Sequence, residues 1–564
     1  VNQPTPAIVA QSAVRRLPRA ALLLLCAAYA LAGFVGREPW KNADIMAFGY
    51  MYELARGHTS WLQPDLLGQA PEFQALLPYW LGAWAIKLAP AWLAPDVAAR
   101  IPFIALLVLT LVASWYAVYY LARTPAAQPV PFAFGGEARP TDYARAMADG
   151  GLLALLACLG LMQLSHETTP ALAQLGFTAL AFFGMAALPY RLVAPAIAVL
   201  AGLVGLGLSG APAMATLFAA GGALLMYTEA PDEEVTHGAS RGQGVVIIVV
   251  AALVSAVVAA GLSMWEWRLD AASDMDWRHW RGYGRLLVWF TWPAWPLALW
   301  TVWRWRRQLG HRHVALPLWF ALVSVIAALL SANPDRALLL ALPALATLAA
   351  FALPTFDRSV SALIDWFTLL FFTGCALVIW VIWISLQTGV PAKPAANVAR
   401  LAPGFVPSFG LLSFVVAAVA TVAWLALVRW RTARNRQAIW KSLVLPAGGT
   451  ALAWLLVMTL WLPVLDYARS YAAGVHLLKA RIDSPGCVQV FGLSRTQVAG
   501  LLYHGDLDLR PATTDSPCPW LVTTEDLEPS VPAAFDRKHW RLVARIPRPA
   551  DRHENLLLYQ KHPT

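Results

Sequence analysis

The feature of this sequence that most constrains its fold is a succession of apolar runs, each about 17–20 residues long and bounded by charged residues. Runs of that length read as membrane spans. The chain has 564 residues, 59% hydrophobic and only 13% charged, and a soluble fold cannot hide so much apolar surface. The expected class is therefore a mainly α, polytopic membrane protein. The net charge of +10 fits this class, because membrane proteins collect Lys and Arg in cytoplasmic loops. No basic stretch carries a nucleic-acid motif, so nucleic acid is excluded as a partner.

Hydropathy marks about thirteen spans. They fall near Ala20–Val35, Ile101–Ala122, Gly151–Leu164, Ala171–Leu188, Leu192–Leu208, Ala213–Tyr227 and Val245–Leu262. The rest fall near Leu286–Trp303, Val314–Leu330, Ala337–Leu353, Trp366–Ile384, Leu411–Val428 and Leu443–Leu462. Leu76–Leu93 is also apolar, but Lys87 and Pro90 interrupt it, and it reads as a re-entrant or interface-lying helix. Arg15, Arg16 and Arg19 precede the first run, which reads as an uncleaved helix.

The positive-inside rule fixes the orientation. With the N-terminus in the cytoplasm and Leu76–Leu93 not crossing, the cytoplasmic loops hold Arg123, Arg139 and Arg145, then Arg191, then Arg304, Arg306, Arg307 and Arg312. The last holds Arg429, Arg431, Arg434, Arg436 and Lys441. The acidic loop Glu229–Arg241 runs against the trend. Counting Leu76–Leu93 as a crossing would put every later basic cluster outside. The expected organisation is a membrane domain over 1–465 with a long outer loop at 37–100, and a periplasmic domain over 466–564.

That tail alternates helix-like and strand-like runs. A helical stretch lies around Tyr471–Ile482, and strand-like runs follow from Cys487 and at Trp520–Thr523, Trp540–Ile546 and Leu556–Tyr559. Between them SRTQVAGLLYHGD reads as helix. A small α/β domain is expected. Cys26, Cys158 and Cys375 lie in apolar runs and read as small hydrophobes. Cys487 and Cys518 lie in the tail, in an oxidising compartment by this topology, where they form a disulfide or remain two buried thiols. There is no CxxC pair, and no structural metal site is expected.

Polar chemistry gathers in the outer loops. The first loop reads Arg37-Glu38-Pro39-Trp40-Lys41-Asn42-Ala43-Asp44 and leads into the helix-like IMAFGYMYELARGH. It is either a solvated loop with aromatic anchors or the seat of a general base. In the second case Lys41, three residues before Asp44, keeps that carboxylate ionised. The second loop, Ser165-His166-Glu167-Thr168-Thr169, is a helix cap or half of an active site. The third, Trp265–Arg285, mixes charge with tryptophans, as an interfacial loop does. Its arginines, with Arg336 of the turn Ser331–Arg336, are also suited to hold a phosphate.

In this order the pieces resemble the GT-C membrane glycosyltransferases, in particular the group of bacterial aminoarabinose transferases of lipid A and protein O-mannosyltransferases. The first-loop acid is Asp44. Tyr52-Glu53-Leu54, Trp61 and Leu77-Pro78-Tyr79-Trp80-Leu81 match the rest of that family's long loop. Ala99-Arg100-Ile101-Pro102 matches its "Ala-Arg-Leu-Pro" helix start. Leu208-Ser209-Gly210-Ala211-Pro212 echoes a "Leu-Thr-Lys-Gly-Pro" turn. Ser331, Arg336 and Leu342-Pro343 follow a later pattern. The departures are Ala43-Asp44 in place of paired acids, Glu72-Phe73-Gln74-Ala75-Leu76 without the usual Lys, and Gly210 where the turn has Lys.

The resemblance implies a polyprenyl-phosphate sugar donor, an undecaprenyl one in bacteria, used at the periplasmic face of the inner membrane. The acceptor is a lipid, glycan or protein. Asp44 takes the role of catalytic base, Glu38 is its reserve, and Glu167 with His166 supplies the second-loop acid. Arg268, Arg278, Arg285 and Arg336 would steady the leaving phosphate, and Tyr79 is a further site candidate. Sugar, acceptor and any divalent metal stay open at this point. The reading from another class is a transporter or flippase of lipid-linked sugars. Against it stand the few charges inside the spans and the absence of an internal repeat.

Overall fold

The computed structural model describes residues 5–72, 74–228, 238–265, 277–331, 333–432, 438–482, 486–513, 516–525, 539–548 and 554–561. The fold is mainly helical. The chain opens with α1 (Arg19–Ala32), α2 (Ala43–Arg56), α3 (Leu77–Leu88), α4 (Pro95–Ala122), α5 (Pro140–Ala157), α6 (Leu161–Leu164), α7 (Pro170–Ala187) and α8 (Val193–Leu208). It continues through α9 (Pro212–Thr228), α10 (Arg241–Gly261), α11 (Trp277–Phe290), α12 (Ala294–Arg304), α13 (Arg312–Leu329), α14 (Pro334–Leu339) and α15 (Leu342–Ala352). Next come α16 (Arg358–Thr388), α17 (Ala392–Leu401), α18 (Leu411–Thr432) and α19 (Lys441–Leu460). Then come the short α20 (Leu462–Arg469), α21 (Ala472–Lys479) and α22 (Arg495–Gly500).

Proline opens α5, α7 and α14, where its missing N–H costs nothing. Ser240 and Gln243 close a capping box on α10. Among the described residues, seven helices are long and apolar enough to cross a membrane, and four shorter apolar ones accompany them. With α5 and the α11–α12 pair, the apolar segments are consistent with the thirteen crossings expected.

Three expected continuous helices are broken. Gly151–Leu164 splits into α5 and α6, because the N–H groups of Leu159 and Gly160 donate to the carbonyls of Trp292 and Phe290, at 3.1 and 2.8 Å. Gly160 also lies under the Phe290 ring, where a Cβ would come within 2.3 Å. The same contact interrupts Leu286–Trp303, where Pro293 cannot extend α11. Ala337–Leu353 splits just before Pro343, which disfavours helical geometry in the residue ahead of it. Of the stretch Trp265–Arg285, read as a loop, 266–276 lie outside the described residues and Trp277–Arg285 is helix: Arg278, Arg281 and Arg285 recur at helical spacing along α11.

The chain divides into two compact units. The first comprises Val1–Phe34, Phe103–Leu377 and Val415–Leu456. In it α7, α8, α9 and α10 pack in succession, and α15 packs against α5, α12 and α13. Small residues allow the close approaches. Gly202 lies against the Ala181 backbone, and Gly207 against Ser255, whose hydroxyl donates to the Leu203 carbonyl.

The second unit comprises Val35–Pro102, Val378–Phe414 and Val457–Thr564. It contains a five-stranded mixed sheet, with β1 (Val488–Phe491), β2 (Leu509–Pro511), β3 (Trp520–Thr524), β4 (Trp540–Ile546) and β5 (Leu556–Lys561). Their order is β2-β1-β3-β5-β4, with β1 parallel to β2 and β3, and β5 antiparallel to β3 and β4. The short edge strand β2 has no counterpart in the sequence reading; its Pro511 is tolerated at an edge. Leu521, Leu557 and Tyr559 form a buried cluster on the sheet. Cys487 and Cys518 form a disulfide at the start of β1 and just ahead of β3. α2 packs on α3 and α22, with Gly82 against Met51 and Gly49 against Ala499.

Candidate active site

The first loop turns sharply at Asn42, whose φ is 72°, so that α2 begins at Ala43 with Asp44 in its first turn. Asp44 is 2% exposed. Its Oδ2 accepts from the Arg37 guanidinium at 2.7 Å and from the Trp40 backbone N–H at 3.2 Å. Arg37 is equally buried and lies over the Trp40 ring, 4.6 Å from its centroid. The cation against Asp44 is thus Arg37, where the sequence suggested Lys41. Lys41 forms an ion pair with Glu554 at 2.9 Å.

The loop is tied down by α20, from more than four hundred residues further on. Trp40 donates its indole N–H to Asp466 at 2.6 Å, the Glu38 N–H faces the same oxygen at 3.4 Å, and the Lys41 N–H donates to the Arg469 carbonyl. Burial pushes the Asp466 carboxyl up to about 6; the Trp40 bond opposes this and the Glu38 charge adds to it. Glu38, half-buried in the same loop as Asp44, therefore also stands beside the Asp466 carboxyl.

A second charged layer continues the cluster within the same unit. Asp96 and Arg100, one turn apart at the start of α4, pair at 2.9 Å. The Tyr503 hydroxyl donates to Asp96 at 2.8 Å, and burial holds that hydroxyl protonated well above the usual phenol range. Burial also holds His504 below the usual imidazole range, against the pull of Glu38 and Asp96 and with the push of His476. Tyr503 and His504 lie on a π-helical turn, Leu501–Gly505, that follows α22. Tyr79 is buried on α3 with its ring 5.3 Å from that of Tyr50.

The remaining candidates belong to the first unit. His166 is fully buried. Its two ring nitrogens lie at hydrogen-bond distance from the Met162 and Tyr29 carbonyls, and Gly33 leaves it room. It acts as a packing tie between α6 and α1. Glu167, also buried, accepts from Gln163 at 3.0 Å. Arg278 and Arg285 are exposed on α11, which packs on α14, where Arg336 is half-buried; α14 in turn packs on α6 and α7. These arginines and Glu167 thus sit on one connected group of helices. Arg268 lies outside the described residues. Among the described residues, no three His, Cys, Asp or Glu side chains converge as a metal-holding set.

The sequence reading passed over Arg37, Trp40, Asp96, Arg100, Asp466, Tyr503 and His504 as site residues. Arg37 carried a signal, as the cation that opens the loop. Asp466 carried none, since only the fold brings it to Trp40.

No protein-family model and no curated protein matches the sequence. Two solved structures resemble it along almost its whole length: ArnT from Cupriavidus metallidurans in the apo state, and the same protein bound to undecaprenyl phosphate. Each gives a TM-score of 0.59 at 15% identity, over 96% of this chain and 98% of that one. This chain has the ArnT fold. Coverage of both chains end to end means that the ArnT architecture includes the membrane helices and the terminal sheet together. The GT-C class expected from the motif order is thereby shown at the level of fold.

Proposed function

We propose that the protein is a membrane glycosyltransferase that moves a sugar from a polyprenyl-phosphate donor to a lipid, glycan or protein acceptor at the periplasmic face. The observation that carries this reading is the ArnT fold over 96% of the chain, one of the two similar structures being bound to undecaprenyl phosphate. The first-loop geometry supports Asp44 as the base. A buried carboxylate has lost its hydration and needs a cation and hydrogen bonds in its place, and Arg37 and the Trp40 N–H supply both.

In the proposed reaction the acceptor hydroxyl gives its proton to Asp44. Its oxygen forms a bond to the anomeric carbon of the sugar, and the bond from that carbon to the donor phosphate breaks. The polyprenyl phosphate leaves with the bonding electron pair, and a cationic side chain stabilises its added charge.

Purified protein supplied with a polyprenyl-phosphate sugar and envelope acceptors tests the proposal. Asp44→Asn, nearly isosteric, is expected to lower transfer per folded molecule by about 100- to 10,000-fold with donor binding retained. Full activity in that variant moves the role to Glu38. Full activity in the Asp44→Asn, Glu38→Gln pair ends the acid–base reading of this loop.

A further inference from the structure

A cavity of about 900 Å³ opens in the first unit among α1, α18 and α19. Its size is that of a site for a substantial ligand, which commonly runs from about 300 to 1,000 Å³. Small side chains make the space: Ala21 and Ala28 on α1, Ala420 and Ala423 on α18, and Gly448 and Ala451 on α19. The groove follows α18 from Val415 to Trp430, about 22 Å at 1.5 Å per residue, longer than one leaflet of a hydrocarbon core of about 30 Å. It is open along its side, and α18 is largely exposed.

Its polar groups lie at one end. Arg15 and Arg16 enter from the start of α1, and Lys441 from the start of α19. Two tryptophans, Trp430 and Trp440, stack there with centroids 6.2 Å apart. Tryptophans of this kind sit at the headgroup level of a bilayer, so the cations lie where a lipid presents its phosphate. Asp142 is 3.5 Å from Arg16 and offsets one charge, but Arg16 remains 62% exposed; Lys441 is buried and its charge also acts on Asp365, so it backs the two arginines rather than standing open beside them. The other end of the groove, at Ala28, Val415 and Leu455, is wholly apolar.

We propose that this groove is a binding site for an anionic glycerophospholipid of the leaflet facing Arg15, Arg16 and Lys441. The acyl chains lie along α18 and the phosphate meets the two arginines, backed by Lys441. Basic pockets between membrane helices recognise acidic headgroups in this way. The assignment is independent of the transfer reaction, since none of the groove residues belongs to the acid cluster.

The test uses the full chain in mild detergent, with dioleoyl phosphatidylglycerol or dioleoyl phosphatidylcholine added. Bound lipid is counted by native mass spectrometry, and thermal unfolding is followed in parallel. Phosphatidylglycerol is expected to be retained and to raise the unfolding temperature; phosphatidylcholine is not. The pair Arg15→Gln, Arg16→Gln weakens retention by roughly fivefold per arginine. Ala420→Phe, which fills the groove and keeps the charges, weakens it as well. Equal retention of the two lipids, or an undiminished preference in the arginine pair, overturns the proposal. So does displacement of phosphatidylglycerol by undecaprenyl phosphate at equal concentration in wild type but not in Ala420→Phe, which gives the groove to the polyprenyl lipid.

Discussion

Arg37 and Asp44 are buried together at 1% and 2% side-chain exposure, and each depends on the other's charge. Replacing one partner of such a pair strands the other in a poorly solvating place, at a cost of about 3–5 kcal/mol, whereas removing both costs much less. Arg37→Met is therefore expected to destabilise the protein strongly in thermal unfolding, and adding Asp44→Asn to recover most of the loss. A double variant as unstable as the single one would show that Arg37 acts through its stacking on Trp40. Asp466 gives the pH counterpart. Its carboxyl titrates near 6 in the fold and in the ordinary aspartate range, near 4, when unfolded. Between those values the folded state binds the extra proton, so stability is greatest on the acid side, falls as pH rises from about 4 to about 6, and levels off above. Asp466→Asn, which keeps an acceptor for Trp40, is expected to flatten that slope when unfolding is measured from pH 4 to 7. An unchanged slope would assign it to another group. The residue scale is also where the sequence misleads most: Lys41 is near Asp44 along the chain, but the turn at Asn42 sends its ammonium to Glu554.

At the level of elements, the helix carrying Asp44 is braced by the tail. Gly49 on α2 meets Ala499 on α22 so closely that a Cβ on Gly49 would lie 2.6 Å from that of Ala499. Gly49→Ala is expected to cost about 1–3 kcal/mol by overpacking, and Ala499→Gly in the same chain to relieve much of it. Failure of the second change to rescue would place the strain at Leu66, the next neighbour, 3.4 Å away. Most elements were legible in the sequence because each helix carries its own apolar period, and because Trp520–Thr523 and Trp540–Ile546 carry the β-branched and aromatic pattern of a strand and Leu556–Tyr559 is a short apolar run ending in an aromatic. The breaks at Cys158–Gly160 and Thr291–Pro293 were not, because each exists through hydrogen bonds to the other. Of the candidate site, Glu38 and Asp44 were legible from a local motif. Their partners Asp466, Asp96, Tyr503 and His504 come from three distant stretches that no local pattern links.

For the whole molecule, the arrangement of basic loops predicts which surfaces face out. In a background with Cys26, Cys158 and Cys375 replaced by Ala, a cysteine at Asp506, an exposed position in the tail, is expected to react with an impermeant maleimide added to intact spheroplasts. A cysteine at Arg429, in the last turn of α18, is expected to react only after permeabilisation. Reaction at Arg429 from outside would reverse the orientation. The second compact unit is assembled from three separated stretches, 35–102, 378–414 and 457–564. That interleaving has a consequence for biosynthesis. A ribosome finishes the loop bearing Asp44 long before it reaches Asp466, so throughout most of translation the loop emerges without the group that receives the Trp40 indole. The first-loop site is therefore completed only near the end of synthesis, and a chain cut short anywhere before α20 inserts its helices yet lacks the contacts that hold its earliest outer segment in place.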